Sequence, residues 1–138
     1  MEDAFGAGVK ALARKELTRV ELTSRLARAG FDREEAQGAI ERLAEAGYQS
    51  DERAAAERAR ALAARRYGDV AIRADLRRRG IADDDCETAM LGIPPELARA
   101  EALAHRTQDP AKLAQALRRK GFSEDTVEAA LRIAGPRR

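Results

Sequence analysis

The stretch that decides the fold is LAARRYGDVAIRADLRRRGI, which runs over residues 62–81. The same pattern recurs at residues 12–31 and 103–122. Each copy opens with a leucine, has an aliphatic residue ten positions later and another leucine four positions after that, and closes with a glycine and a bulky apolar residue. The three copies begin 50 and 41 residues apart and align without a gap. Self-similarity at such a period is typical of repeat proteins, whose working surface is extended rather than enclosed. The repeat therefore favours a binding protein over an enzyme.

The similarity continues beyond the glycine of each copy. Five and nine positions after the bulky residue come further apolar residues, namely Ala36 and Ile40, Cys86 and Met90, and Val127 and Leu131. We expect the repeated apolar positions to form the core, which in the first copy are Leu12, Leu22, Leu26, Phe31, Ile40 and Leu43. Cys86 aligns with an alanine and a valine, so we interpret it as a small buried hydrophobe rather than a nucleophile or a ligand.

Each copy carries the local signals of three helices. Thr18 is a good N-cap, and Glu21 three residues later completes a capping box. Gly30, Gly80 and Gly121 stand where a residue in the left-handed conformation commonly ends a helix. These signals place helices at residues 7–17, 19–29, 32–46, 51–66, 69–79, 83–91, 94–106, 110–120 and 124–134.

The fold predicted from these helices is all-α, because no run of alternating β-branched and polar residues indicates a strand. We expect three tandem three-helix repeats of the helix-turn-helix type, which form an elongated, curved right-to-left array of about nine helices. The repeats are placed at residues 1–48, 49–93 and 94–138. Units of this size bury too little apolar surface to be comfortable alone, so neighbouring repeats should pack on one another.

Composition argues against secretion and membrane insertion. The 138 residues include one cysteine, which permits no internal disulfide and agrees with a reducing compartment. Glu2 and Asp3 stand where a signal peptide would have a basic start, and no apolar run approaches the length of a membrane span. We therefore expect a cytoplasmic protein with no membrane partner.

Residue sets that support catalysis are missing from the sequence. There is no Gly-rich phosphate loop, Ser/His/Asp set, Cys/His cluster or plausible carboxylate pair. The single histidine, His105, has no companion at metal-binding spacing. We expect no enzymatic activity, no cofactor, no metal and no small-molecule substrate.

Charge is separated by helix, although the net charge is only +2. The predicted second helices are basic and the third helices acidic. Between residues 53 and 80 there are nine arginines but only three acidic residues, which are Glu57, Asp69 and Asp75. Helix dipoles account for cations in last turns and acids in first turns. They do not account for Arg53, Arg58, Arg60 and Arg73, which favour an anionic partner.

The middle repeat should therefore present a strong positive field. This interpretation expects the guanidinium groups to be free of carboxylates from the same chain. The acidic third helices also argue against sequence-specific duplex binding, because in a helix-turn-helix protein the last helix enters the major groove and reads bases with Arg, Lys, Asn or Gln. A partner that carries both signs of charge, such as a protein–DNA filament, remains compatible.

Several segments resemble the RecX family, the regulatory proteins of the RecA recombinase. Residues 47–55, GYQSDERAA, look like the family's entry into its middle repeat, and residues 15–22, KELTRVEL, look like the start of its first repeat. Tyr67-Gly68, Ile72, Leu76 and Gly80-Ile81 are similar to its best-marked segment. Their order, spacing and triplication together identify the chain as similar to this family over most of its length.

The resemblance implies a curved, elongated protein that lies in the helical groove of the RecA–DNA filament. It implies a non-enzymatic inhibitor or modulator that limits filament extension and suppresses RecA's ATPase, strand-exchange and co-protease activities, in recombinational DNA repair and the SOS response. We expect a monomer that binds the RecA filament and binds DNA weakly and without sequence preference. The candidate contacts are Arg53, Arg58, Tyr67, Arg73, Arg77, Arg78, Arg118 and Lys120.

Two other hypotheses remain open at this point. One is a transcriptional regulator that binds DNA directly through tandem helix-turn-helix units. The other is a helical scaffold that binds only protein. Weak, salt-sensitive and sequence-independent binding of DNA favours the filament regulator, whereas a preferred duplex site bound at nanomolar affinity favours the transcriptional regulator.

Overall fold

A computed structural model describes residues 2–134 of the chain. Within that range it contains helices and no strands, which confirms the predicted all-α class. The nine helices are α1 (Ala4–Arg14), α2 (Arg19–Arg28), α3 (Arg33–Glu45), α4 (Asp51–Ala64), α5 (Asp69–Arg78), α6 (Asp83–Leu91), α7 (Glu96–Ala104), α8 (Pro110–Arg119) and α9 (Glu124–Ala134). Among the described residues, no helix combines the length and apolar composition needed to cross a membrane.

Helix α1 departs most from its predicted bounds, and α7 is two residues shorter at each end than predicted. Helix α1 was expected at residues 7–17 and lies three residues earlier. The Asp3 carboxylate accepts a hydrogen bond from the Gly6 N–H at 2.8 Å and so starts the helix early. At the other end Lys15 is extended, with φ −164° and ψ 159°, and leads into the N-cap of α2.

Most of the predicted helix ends are confirmed by their capping contacts. Thr18 and Asp32 each form a complete capping box with a glutamate three residues later. Gly30, Gly80 and Gly121 all have positive φ, at 98°, 88° and 80°, as a left-handed helix end requires. The repeated glycine therefore marks the same backbone turn in all three copies.

Three separate apolar clusters form the core, one for each set of three helices. The first contains Leu22, Leu26, Ile40 and Leu43. The second and third contain the counterparts of Leu22 and Leu26, which are Ile72 and Leu76, and Leu113 and Leu117. The counterparts of Ile40, Met90 and Leu131, are partly buried against these clusters. Leu12 and Phe31, expected in the core, are only partly buried against it. Cys86 is fully buried in the second cluster, as its alignment with alanine and valine predicted. We propose that the three clusters correspond to the three repeats.

Successive clusters are joined by the same contact between helix ends. At the first junction the Thr18 hydroxyl, at the start of α2, donates to the Arg79 carbonyl at the end of α5 (2.7 Å). At the second junction the Gly68 N–H, at the start of α5, donates to the Lys120 carbonyl at the end of α8 (2.8 Å). Thr18 and Gly68 are equivalent repeat positions, and so are Arg79 and Lys120. The start of each second helix thus contacts the end of the next one.

This contact brings backbones so close that a side chain would not fit. A Cβ on Gly68 would lie 2.4 Å from the Cα and N of Phe122. A Cβ on Gly121 would lie 2.3 Å from that of Ala71. The glycine at the end of α8 is therefore required both for its positive φ and for the close approach of the neighbouring helix.

Acidic residues at the start of the next repeat complete both junctions. The Asp51 carboxylate accepts from the Arg19 N–H at 2.8 Å, and the Glu96 carboxylate accepts from the Asp69 N–H at 2.7 Å. At both junctions, therefore, a carboxylate from the next repeat accepts from the first backbone N–H of a second helix.

Candidate functional site

The predicted basic surface of the middle repeat lies on α4 and α5. At its centre Arg58 makes two hydrogen bonds to the Asp75 carboxylate, both of 3.0 Å. Arg79 contacts Asp75 at 3.0 Å and also Glu21 of the first repeat at 2.8 Å. The hydrogen bond from Arg58 holds the pKa of Asp75 below its ordinary value, and the same bond raises the pKa of Arg58. These groups form a network that links the first two repeats.

Other pairs connect the second and third helices within a repeat. Arg73 on α5 makes two hydrogen bonds to Glu87 on α6, of 2.9 and 3.0 Å. Arg118 on α8 contacts Glu124 on α9 at 3.0 Å. In each pair the hydrogen bond lowers the pKa of the glutamate and raises that of the arginine. Arg77 pairs more loosely, since its Nε lies 3.4 Å from the Asp83 carboxylate.

Arg53 and Arg78 differ most, among the candidate contacts, in how strongly other groups of the chain hold the guanidinium group. Arg53 donates to both carboxylate oxygens of Glu16 at 2.9 Å and to the Tyr48 carbonyl at 2.8 Å. Arg78 is 70% exposed and lies 3.6 Å from the nearest oxygen of Asp75. Of these two, Arg78 therefore has the guanidinium group that is more available to a partner.

The expectation that these guanidinium groups are free of carboxylates from the chain itself was wrong. The candidate arginines that pair with an acidic side chain are Arg53, Arg58, Arg73, Arg77, Arg78 and Arg118. For Arg73, Arg77 and Arg118 the physical reason is the charge separation itself, because the basic second helix and the acidic third helix of a repeat pack on each other, and cations on one helix then meet acids on the other. The other three pair with Glu16 and Asp75, which lie outside the third helices. The positive field of the middle repeat is partly neutralised as a result.

Tyr67 and Lys120 come together at the second junction. The Lys120 ammonium lies 4.1 Å from the centre of the Tyr67 ring and donates to the Arg65 carbonyl at 3.2 Å. Arg65 also lies over this ring, at 5.7 Å. Tyr67 itself is partly buried against the second core cluster. Two candidate contacts far apart in sequence therefore form one cation–aromatic group.

A buried polar cluster beside this junction was missed by the sequence analysis. The Arg99 side chain is 5% exposed and pairs with Asp69. Burial raises the pKa of Asp69 above its ordinary value. Burial alone would also raise the pKa of Glu96, but hydrogen bonds from Ser123, Thr126 and two backbone N–H groups outweigh it, and that pKa is lowered. The sequence signal was an arginine in an alanine-rich helix, which does not by itself reveal burial.

A groove between α2 and α5 was also missed. It has a volume of about 380 Å³ and lies where the first repeat meets the second. Lys15, Arg25 and Arg28 from the first repeat and Arg78 and Arg79 from the second line it. The sequence predicts a basic α2, but the groove forms only where α2 packs beside α5 of the next repeat.

The fold and its surface define a class: an all-α protein of tandem three-helix units, with a charged exterior and small grooves at its junctions. Comparison with known proteins narrows that class. Residues 4–43 match the family model described as RecX, first three-helix domain, and residues 50–90 match RecX, second three-helix domain. Together the two matches cover more than half of the chain, and the chain belongs to the RecX family.

Curated relatives agree with this assignment. The chain is 36% identical over 91 residues to the regulatory protein RecX of Chromohalobacter salexigens, across 66% of this chain and 60% of the relative. It is 42% identical over 79 residues to the RecX protein of Xanthomonas campestris, across 57% of this chain and 49% of the relative. It is 37% identical over 98 residues to the RecX protein of Syntrophotalea carbinolica, across 70% of this chain and 64% of the relative. The chain thus spans about half to just under two thirds of the length of these relatives.

Solved structures show the same fold. The crystal structure of RecX from Lactobacillus salivarius superposes with a TM-score of 0.85 at 21% identity, over 95% of this chain and 94% of that one. A second crystal structure of a regulatory protein RecX gives a TM-score of 0.80 at 22% identity, over 92% and 70%. The fold of residues 2–134 is therefore shared with known RecX structures.

Proposed function

We propose that this chain is a non-enzymatic inhibitor of the RecA recombinase, which binds the RecA–DNA filament and limits its extension and activities in recombinational repair and the SOS response. The observation that carries the proposal is the pair of adjacent RecX three-helix domains at residues 4–43 and 50–90. A filament presents a long, repeating surface. A row of small helical units joined end to end suits such a surface, because each unit can contact it separately.

The ion pairs on the basic surface divide the candidate contacts into two groups. The pair of Arg77 with Asp83 is largely exposed, and exposed pairs stabilise a protein by only about 0–1 kcal/mol. Such a guanidinium can exchange its own carboxylate for a phosphate or carboxylate of the partner at little cost. We place Arg77, Arg78 and Arg118 in this group, because each of these side chains is more than half exposed. Arg53 is held by both oxygens of Glu16 and by the Tyr48 carbonyl, so we place it in the second group. Lys120 has no such pair and is considered with Tyr67.

Arg58 and Arg73 belong to the second group. Each guanidinium makes two hydrogen bonds to its own carboxylate, and both side chains are about one third exposed. A partner would have to displace a bidentate pair, which is among the stronger charged contacts. We propose that these two arginines position the basic surface, while Tyr67 with its two cations supports the second junction.

The alternative of a tandem helix-turn-helix transcriptional regulator is disfavoured by the third helices. The first turns of α3, α6 and α9 carry Glu34 and Glu35, Asp83 to Asp85, and Glu124 and Asp125. A helix that enters the major groove with its N-terminal turn would bring these carboxylates against the phosphates. A helical scaffold that binds only protein remains the second candidate, and RecA inhibition by arginine variants tests it.

The proposal is tested by RecA's ATPase on single-stranded DNA with the chain added below one molecule per RecA. We expect inhibition, and inhibition far below stoichiometry would indicate action at the growing filament end. The double variant Arg77→Glu with Arg78→Glu should inhibit less and keep its helical content. A matched control, Arg33→Glu with Arg132→Glu, makes the same change in net charge at exposed positions outside the basic surface.

Two outcomes would count against the proposal. An ATPase rate unchanged by excess chain removes RecA as the target. Inhibition that the Arg77 and Arg78 substitutions leave intact removes these two arginines as contacts, the result expected of a protein-only scaffold. We further propose a cytoplasmic monomer, because the RecA–DNA filament is a cytoplasmic assembly; sedimentation of the chain alone tests the monomeric state.

A further inference from the structure

The groove between α2 and α5, called here the inter-repeat groove, collects cations from both repeats. Five of its ten lining residues are basic: Lys15, Arg25, Arg28, Arg78 and Arg79. They come from the loop before α2, the last turns of α2 and α5, and the residue that ends α5. Helix dipoles favour cations at helix ends, but they do not bring cations of two repeats into one groove.

The acidic residues of the groove are already engaged. Glu21 and Asp75 are its two carboxylates, and Arg79 contacts both, at 2.8 and 3.0 Å. Asp75 is also held by Arg58 from outside the groove. Within residues 2–134, by contrast, no ion pair involves Lys15, Arg25 or Arg28. The groove therefore carries an excess of positive charge without a counter-ion among these residues.

The cationic surface extends beyond the groove along the first repeat. A second, smaller groove of about 190 Å³ lies between α1 and α2 and is lined by Lys10, Arg14 and Arg25, among others. Because Arg25 lines both grooves, they form one continuous strip. Arg14 likewise has no ion pair within the described residues, whereas Lys10 contacts Glu2 at 2.8 Å. A strip of cations longer than one side chain suits a linear polyanion better than a single small anion.

We propose that the inter-repeat groove holds the sugar–phosphate backbone of a nucleic-acid strand. The groove supplies guanidinium groups and a hydroxyl from Ser24, which are the donors that commonly contact phosphates. An acidic protein segment fits less well, since Leu17 and Val20 are the only large apolar side chains in the lining. This inference deepens the proposed function and rests on it, because it assigns the DNA-facing surface of a filament regulator.

The lining also determines how the strand would be held. It contains no aromatic side chain on which a base could stack. Contact through phosphates alone carries no sequence information, so binding should not depend on base sequence. Each phosphate neutralised releases counterions, and the logarithm of the binding constant should fall with the logarithm of salt concentration by about 0.7 per contact for a single strand. The available cations are Lys15, Arg25, Arg28 and Arg78, whose pair with Asp75 is loose at 3.6 Å, and four phosphate contacts predict a slope of about −3.

The test is binding of labelled single strands, one oligothymidylate and one of mixed sequence, by fluorescence anisotropy across a salt series without RecA. The variant carries Lys15→Glu, Arg25→Glu and Arg28→Glu. The matched control carries Arg33→Glu, Arg106→Glu and Arg132→Glu, which are exposed, lie outside the groove and change the net charge equally. Circular dichroism and thermal melting check that each variant folds. The neutral set Lys15→Gln, Arg25→Gln and Arg28→Gln replaces the first variant if that one does not fold.

We expect both strands to bind the unmodified chain equally and the groove variant to bind about tenfold more weakly or worse, with a salt slope shallower by about 2. The control should retain most of the affinity. Equal binding by groove variant and unmodified chain would overturn the inference, as would displacement of the strand by polyglutamate as effectively as by DNA. RecA inhibition that persists in either case separates this failure from failure of the proposed function.

Discussion

Replacement of Gly68 by alanine should disrupt the junction between the second and third repeats. The residue is the N-cap of α5, with φ −85° and ψ 172°, a conformation that alanine adopts without strain. Ala82 occupies the N-cap of α6 in a similar conformation. The cost of the substitution therefore comes from contact rather than from backbone conformation. The new Cβ would lie 2.4 Å from the Phe122 backbone, and backbone atoms cannot rotate away as a side chain can.

The free-energy cost of Gly68→Ala follows from the separation of α5 from the end of α8. To relieve the overlap, α5 and the end of α8 have to separate by about an ångström, the gap between 2.4 Å and ordinary contact. Separation weakens the hydrogen bonds from the Gly68 N–H to the Lys120 carbonyl and from the Val70 N–H to the Gly121 carbonyl, of 2.8 and 3.0 Å. Each contributes about 1 kcal/mol, and overpacking adds about 1–3 kcal/mol. We expect a total loss of about 3–5 kcal/mol if both hydrogen bonds are lost.

Urea denaturation and amide hydrogen exchange measure this effect. Gly38→Ala provides the matched control, because a Cβ on Gly38 meets nothing within 4 Å and the residue lies inside α3. That substitution should stabilise the chain by about 0.5–1 kcal/mol. We predict that Gly68→Ala lowers the unfolding free energy and Gly38→Ala raises it. The Val70 amide should exchange faster in Gly68→Ala alone. Unchanged stability and unchanged exchange at Val70 in Gly68→Ala would refute the close junction.

Three further predictions concern charge and strain. Asp69→Ala should destabilise the chain by about 3 kcal/mol in chemical denaturation, because it leaves the buried Arg99 without its counter-ion, and Asp69→Ala with Arg99→Met should recover most of that loss. Full stability of the single variant would contradict this. Arg66 has φ 66°, so Arg66→Gly should raise the unfolding free energy by about 1 kcal/mol, and a lower value would argue against strain. The pKa of Asp75 is lowered, so its contribution is present above the unfolded-state pKa and lost as pH falls through the folded-state pKa. Asp75→Asn should cost about 1 kcal/mol at neutral pH and nothing in strong acid, whereas a pH-independent difference would exclude the ion pair as its cause.

Signals within one helix or one turn were predictable from sequence. The capping boxes at Thr18 and Asp32, and the glycine that ends each second helix, depend on residues a few positions apart, and the chain order alone brings these together. The triplication added independent support, since the same signal appeared three times. For the same reason the buried state of Cys86 followed from its aligned neighbours.

Contacts between repeats were not predictable in the same way. Arg79 meets Glu21 from 58 positions away, and nothing in either sequence segment specifies the other as partner. The prediction that the arginines have no carboxylate partner within the chain was wrong for this reason. The sequence shows how charges are distributed along helices but not how the helices pack. Arg25 and Arg28 show the opposite outcome. Like Arg77 they lie in the last turn of a second helix, yet they have no ion pair within the described residues, whereas Arg77 pairs with Asp83.

The central claim is that this RecX-family chain binds the RecA–DNA filament. Co-sedimentation with RecA filaments preassembled on single-stranded DNA, compared with RecA alone and with DNA alone, tests it directly. We expect the chain to pellet with the filament at concentrations where it binds neither RecA nor DNA alone. A chain that stays in the supernatant at a molar excess, while circular dichroism shows it folded, would contradict the claim.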